Sequence, residues 1–90
     1  MGRWLAALYP QGLFVQTTTF DPAGSYPDRS NLQFYVDPTY MEIETLSPQA
    51  GLKADAELCH VVTWHLVDRP AAGADLARRI AAGARSLVER

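Results

Sequence analysis

Apolar and polar residues alternate with a period of two as far as residue 66, which is the pattern of antiparallel β-strands. Turn residues such as Pro10-Gln11-Gly12 divide this pattern into segments. We predict five strands, over residues 4–9, 13–20, 32–37, 40–46 and 57–67. The last of these is apolar on both sides, which indicates a central strand that is covered on both faces.

The period changes to that of a helix over residues 74–88, where one stripe is apolar. Leu76, Ile80 and Leu87 lie on this stripe, and Gly83 interrupts it either to allow a close approach or as a tolerated weak point. The predicted fold is therefore all-β, an antiparallel β-sandwich portion with one C-terminal amphipathic α-helix. Residues 1–68 form the β domain, and residues 69–90 form the helix that packs on it or on a partner subunit.

The chain is short for a self-sufficient core, since 90 residues bury a modest fraction of their surface. Its single cysteine, Cys59, excludes an internal disulfide, and no cysteine and histidine spacing suits a structural metal. We expect no cofactor, and we expect a homo-oligomer to supply the missing stability. The apolar run near the N-terminus is too short for a signal peptide, and no stretch would span a bilayer, so the expected location is cytoplasmic without membrane contact.

Charge is unevenly distributed. Residues 1–68 carry three basic and eight acidic side chains, whereas residues 69–90 carry five basic and two acidic ones. An acidic body argues against a nucleic-acid-binding face, and arginines on one short helix are usually a solvated surface. The basic helix is expected to dock on an acidic surface of its own chain or of a neighbour.

Three segments in order resemble a known family. They are Ser25-Tyr26-Pro27-Asp28 with Asn31, the segment Tyr40-Met41-Glu42-Ile43-Glu44-Thr45-Leu46-Ser47-Pro48, and residues 52–66 with their His and Trp. Together they resemble the last strands of galactose-mutarotase-like (aldose 1-epimerase-like) proteins of an uncharacterised bacterial branch. The resemblance implies a supersandwich fold, and because such proteins are several times longer it implies a C-terminal portion or a stand-alone remnant. The Pro-Gly-Glu turn of that family is replaced here by residues 53–57.

Glu42, Glu44 and Tyr40 project from the same side of their predicted strand, with the two carboxylates about 6.6 Å apart. Such a pair can serve as acid and base on a sugar or bind its hydroxyls, or it can be the solvated side of a strand whose Met41 and Ile43 are buried. By resemblance, Glu44 falls near the mutarotase general base. Tyr40, Glu42, Tyr26 and Asp28 are the candidate sugar-binding residues.

The remaining chemistry-bearing residues are expected to be structural. His60 and His65 fall on opposite sides of one predicted strand, which excludes a shared metal, and each is interpreted as packed or hydrogen-bonded. Cys59 is interpreted as an inert buried thiol and Trp64 as a core residue. The leading hypothesis is a carbohydrate-binding mutarotase-like domain that is not catalytic alone. Alternatives are an interaction module that pairs with itself or a longer partner, and an aldose epimerase active only as an oligomer.

Overall fold

A computed structural model describes residues 2–89. Within them the chain forms two antiparallel sheets followed by one α-helix, which confirms the predicted β-rich fold with a C-terminal helix. The strands are β1 (Trp4–Tyr9), β2 (Gly12–Thr18), β3 (Leu32–Val36), β4 (Met41–Thr45) and β5 (Val62–Val67), and the helix is α1 (Leu76–Val88). A short 3-10 turn, Pro27–Arg29, lies in the loop after β2.

The larger sheet has the order β1-β2-β5, so β2 is its central strand and β5 lies at an edge. The predicted central position of the last strand is therefore wrong, and the strand is also shorter than predicted. Both differences have one cause: β2 ends at Thr18, which pairs with Val62, and the chain before Val62 has no neighbour to pair with. Only a side-chain bond, from the Thr18 hydroxyl to the Val61 carbonyl at 3.2 Å, extends the contact.

The helix covers one face of this sheet. Leu13 and Val15 of β2 are buried against Ala84, and Ile80 and Leu87 pack around them. The apolar stripe of the helix thus packs on its own sheet, the first of the two alternatives that the sequence left open for it. Gly83 is exposed, and a Cβ atom added there would meet nothing within 4 Å, which excludes the close-approach interpretation.

Strands β3 and β4 form a separate two-stranded sheet, here called the hairpin. Its registration puts Gln33 opposite Glu44 and Phe34 opposite Ile43, so one side is polar and the other apolar. Met41 was expected to be buried on the apolar side, but it is 39% exposed because no further layer covers this end of the hairpin.

A buried side chain, Asn31, helps to link the hairpin to the larger sheet. Asn31 is fully buried, its Oδ1 accepts the Gly2 N–H at 3.0 Å, and its Nδ2 donates to the Gly2 carbonyl at 2.6 Å. Its own carbonyl accepts the N–H of Leu46, just after β4. Asn31 thereby joins the segment before β1 to the start of β3 and the end of β4.

The hairpin turn depends on Asp37, whose Oδ1 accepts the Thr39 hydroxyl and the backbone N–H groups of Thr39 and Tyr40 at 2.8–2.9 Å. These hydrogen bonds lower the pKa of Asp37 below its ordinary 3.8, and the bond from the Thr39 hydroxyl has the largest effect. A lowered folded-state pKa stabilises the turn above pH 3.8, and this stabilisation disappears as pH falls below that value through the folded pKa.

In an acid titration, we expect the Thr39 and Tyr40 amide resonances to shift toward their random-coil chemical shifts, because protonated Asp37 no longer holds the turn. In Asp37→Asn the same resonances should show no such step, and a step that persists in this variant would contradict the assignment.

The molecule exposes more surface than its mass requires. Its accessible surface is 6793 Å², whereas a folded monomer of 9.9 kDa exposes about 5,200 Å² by the usual scaling. Its radius of gyration is 15.1 Å, against about 12 Å for a compact chain of this length. The protruding hairpin and the uncovered face of the larger sheet both contribute to this excess.

Candidate functional site

The two glutamates lie on the polar side of the hairpin, as their alternation indicates. Glu42 is opposite Tyr35 and Glu44 is opposite Gln33, and both glutamates are exposed. Tyr40 precedes β4, and its ring lies 5.5 Å from that of Tyr35. The hairpin thus brings Tyr40 close to Tyr35 at the turn, while Glu44 lies toward the opposite end of β4.

Tyr26 and Asp28 lie in the loop between β2 and β3. Tyr26 is buried at 7% exposure, its ring stacks on Phe20 at 5.4 Å, and its hydroxyl accepts the Asp21 N–H at 3.0 Å. These contacts describe a side chain that holds the loop together. Asp28 is exposed and has a φ of 52°, with Arg29 next to it at 58°, so the backbone here adopts the left-handed region twice in succession.

A groove between β4 and β5 contains Glu44 but none of the other four predicted site residues. It encloses about 570 Å³ and is open to solvent. Its lining combines polar groups with an aromatic ring and comes from β2, β4, β5 and the segment before β5: Gln16, Ile43, Glu44, Thr45, His60, Val62 and Trp64. This groove is the candidate functional site.

Trp64 forms one wall of the groove and is 71% exposed, so its predicted place in the core is wrong. The registration explains the exposure. Trp64 pairs with Gln16, whereas its neighbour His65 pairs with Val15, which faces the helix. Trp64 therefore projects from the helix-free side, where its indole meets Phe14 edge-on with ring centres 5.7 Å apart. That contact fixes one edge of the indole and leaves much of the ring available to a ligand.

His60 lies near Glu44 along the groove, although the two are far apart in the sequence. Its Nε2 shares a hydrogen bond of 2.9 Å with the Thr45 hydroxyl, and His65 shares one of 3.3 Å with Thr17 on the helix side of the sheet. The prediction of two hydrogen-bonded histidines is confirmed. The sequence pattern indicated structural roles for both histidines and did not reveal that His60 lines the groove. Finding the groove from sequence would have required pairing the second and fifth predicted strands.

Cys59 is a free thiol and is exposed, so its predicted burial is wrong. The reason is the same as for the shortened strand: residues 57–61 have no strand partner and lie on the surface. Within residues 2–89, no group of three or more histidine, cysteine or carboxylate side chains could hold a metal ion.

The groove offers several kinds of contact to a small polar molecule. Gln16 provides an amide that both donates and accepts, Thr45 with His60 provides a hydroxyl and imidazole pair, and Glu44 lies at the edge of the groove. The indole of Trp64 adds a flat apolar surface beside them. A ring that has hydroxyl groups on its rim and C–H groups on its face matches this combination.

Comparison of the chain with protein-family models, with curated proteins and with solved structures gave no match. Among residues 2–89, no helix combines the length and the apolar character needed to cross a bilayer.

Proposed function

We infer that this chain is a carbohydrate-binding β domain, related to the galactose-mutarotase-like proteins, that does not catalyse a reaction alone. The observation that carries the proposal is the exposed indole of Trp64 in a groove that Glu44 also lines. Sugar rings stack their C–H faces on such indoles, while carboxylates and amides accept and donate to their hydroxyls. The position of Glu44, assigned by family resemblance, agrees with this arrangement.

Weak binding follows from the openness of the groove. Each hydrogen bond to a sugar hydroxyl replaces one to water, so the net gain per bond is small. We expect a dissociation constant in the millimolar range, or about −4 kcal/mol. Mutarotation also needs an acid and a base on one bound sugar. Glu44 can be the base, but His60 is engaged by Thr45 and a solvent-open site does not hold the ring oxygen against an acid.

The proposed relationship extends to the architecture. A supersandwich consists of sheets stacked face to face, and here the larger sheet and the hairpin each present an uncovered apolar side. We propose that both sheets are sandwich parts whose facing layers come from another polypeptide surface. A protein-interaction module is the second candidate function, and the excess of exposed surface favours it.

Titration with galactose and glucose, followed by NMR, tests the sugar site. We expect amide shifts at Gln16, residues 43–45, His60 and the Trp64 indole, and we expect Glu44→Gln to weaken binding about tenfold because it removes a charge-assisted hydrogen bond. Trp64→Ala should abolish the shifts. Glu42→Gln makes the same chemical change on the same strand outside the groove and should leave them intact.

Two results would overturn parts of this proposal. Shifts that are absent, or that appear only on α1, would exclude a sugar site in the groove. Polarimetry that shows fast anomerisation, lost in Glu44→Gln, would instead overturn the expectation that the chain is not catalytic alone.

A further inference from the structure

Two surfaces within residues 2–89 leave large apolar side chains exposed to solvent. The first is the helix-free side of the larger sheet, here called the open face, where Trp64 and Leu66 of β5 flank Phe14 of β2. Leu66 is 83% exposed and Trp64 is 71% exposed. Apolar side chains of this size on a sheet are normally covered, because each one buried against a partner removes apolar area from water.

The second surface is the apolar side of the hairpin, here called the hairpin face. Phe34 and Val36 of β3 lie opposite Ile43 and Met41 of β4 on this side. Phe34 is 75% exposed and Val36 is 59% exposed. Phe34 and Val36 are therefore left in water, although Ile43 of the same face lines the groove beside Gln16 and Trp64 of the open face.

Neither surface carries a charged side chain. The outward residues of the open face are apolar apart from Gln16 and Thr18, and those of the hairpin face are apolar apart from Thr45. The charged residues of the hairpin, Glu42 and Glu44, alternate with the residues of the hairpin face, and Glu44 lies at the edge of that face, where it lines the groove. A second copy can thus approach without repulsion between like charges and without the cost of burying one.

The exposed area matches what a stable dimer needs. Each chain exposes about 1,600 Å² more than a compact monomer of its mass, so a pair that covered this excess would bury about 3,200 Å². Permanent homodimers bury roughly 2,000–5,000 Å², with apolar interfaces that resemble a divided core. The excess, to which the exposed residues 49–59 also contribute, is large enough for the two faces to be covered by one further copy of this chain.

We propose that two copies associate about a two-fold axis, with the hairpin face of each packed on the open face of the other. Both surfaces belong to antiparallel sheets, which stack face to face at about 10 Å. This reciprocal arrangement covers the hairpin face and the open face of both chains. If two open faces or two hairpin faces paired instead, the other face of each chain would remain in water. Trp64 lies on the open face and also lines the groove, so a dimer and a bound sugar compete for this side chain, and each is tested by its own variants.

Sedimentation equilibrium of the full chain tests the association. A dimer is expected at micromolar concentration, and Leu66→Asp or Phe34→Asp should raise its dissociation constant about 100-fold by placing a carboxylate in the apolar contact. Thr63→Asp and Tyr35→Asp make the same kind of change on the other sides of the same strands and should leave the dimer intact. All four positions are exposed, so the folded state is retained and circular dichroism can verify it.

Cysteine cross-linking tests the reciprocal geometry. In a Cys59→Ser background, chains with Val36→Cys are mixed with chains with Leu66→Cys and exposed to a mild oxidant. The mixed pair should form a disulfide-linked dimer, and either variant alone should not. A monomer at every concentration, charged substitutions without effect, or cross-links only between like positions would each overturn the proposal.

Discussion

Replacing Ala84 with Asp is expected to lower the free energy of unfolding by about 3–5 kcal/mol, because a carboxyl group without a partner would enter the helix–sheet contact. Ala84 is 1% exposed and touches the cluster of Leu13 and Val15. A domain of this length has about 5–13 kcal/mol of stability in total, so the substitution removes a large part of it. Urea unfolding, followed by far-ultraviolet circular dichroism, measures the loss.

Ala82 provides the matched control, since it lies two residues earlier on the exposed side of the same helix. Ala82→Asp changes the same helix propensity and adds the same charge without burying it, and its effect should stay within about 0.5 kcal/mol. Equal destabilisation by the two substitutions would contradict the packing of this helix on the sheet.

Asn31→Asp is expected to cost about 3–5 kcal/mol although the two side chains are nearly identical in shape. The Nδ2 group that donates to the Gly2 carbonyl would become an oxygen, so two acceptors would face each other in a fully buried site. The bond accepted from the Gly2 N–H would survive. Chemical denaturation at neutral pH measures the difference from the parent chain.

The pH dependence of the stability of Asn31→Asp distinguishes loss of the Nδ2 hydrogen bond from a change in side-chain packing. Burial and the facing carbonyl raise the pKa of the introduced carboxyl, and its protonated form can donate again. The stability deficit should therefore shrink as pH falls through that raised pKa. Gln11→Glu makes the same amide-to-carboxylate change at an exposed turn position and should alter stability little. A deficit that does not depend on pH would contradict the proposed role of Nδ2.

Local sequence patterns predicted where the strands and the helix lie. They did not predict the order of the strands or which sides are exposed, because these depend on pairing between distant segments. The strand at residues 4–9 and its turn were located correctly because a hairpin depends on adjacent residues. The helix was found within two residues of its start. The two-sided apolar character of β5 indicated a covered central strand, but its exposed side lies on a surface that no described segment covers.

The candidate site was likewise predicted only in the part that depends on neighbouring residues. Alternation placed Glu42 and Glu44 on one side of a strand, and family resemblance selected Glu44. Gln16 is far from Trp64 in the chain, and only the β2–β5 registration brings the two together in the groove. No periodicity within a single strand contains that information.

The order of the larger sheet also determines how the chain can fold. The β1–β2 pair closes through a tight turn and can form within microseconds, as can the β3–β4 pair. Strand β5 must instead find β2 across the whole intervening hairpin, so its docking carries the largest loop-closure entropy in the molecule. We expect the two hairpins to form first and the β2–β5 ladder to limit the folding rate. Shortening the loop at residues 46–61 should accelerate folding more than any change within the β1–β2 turn.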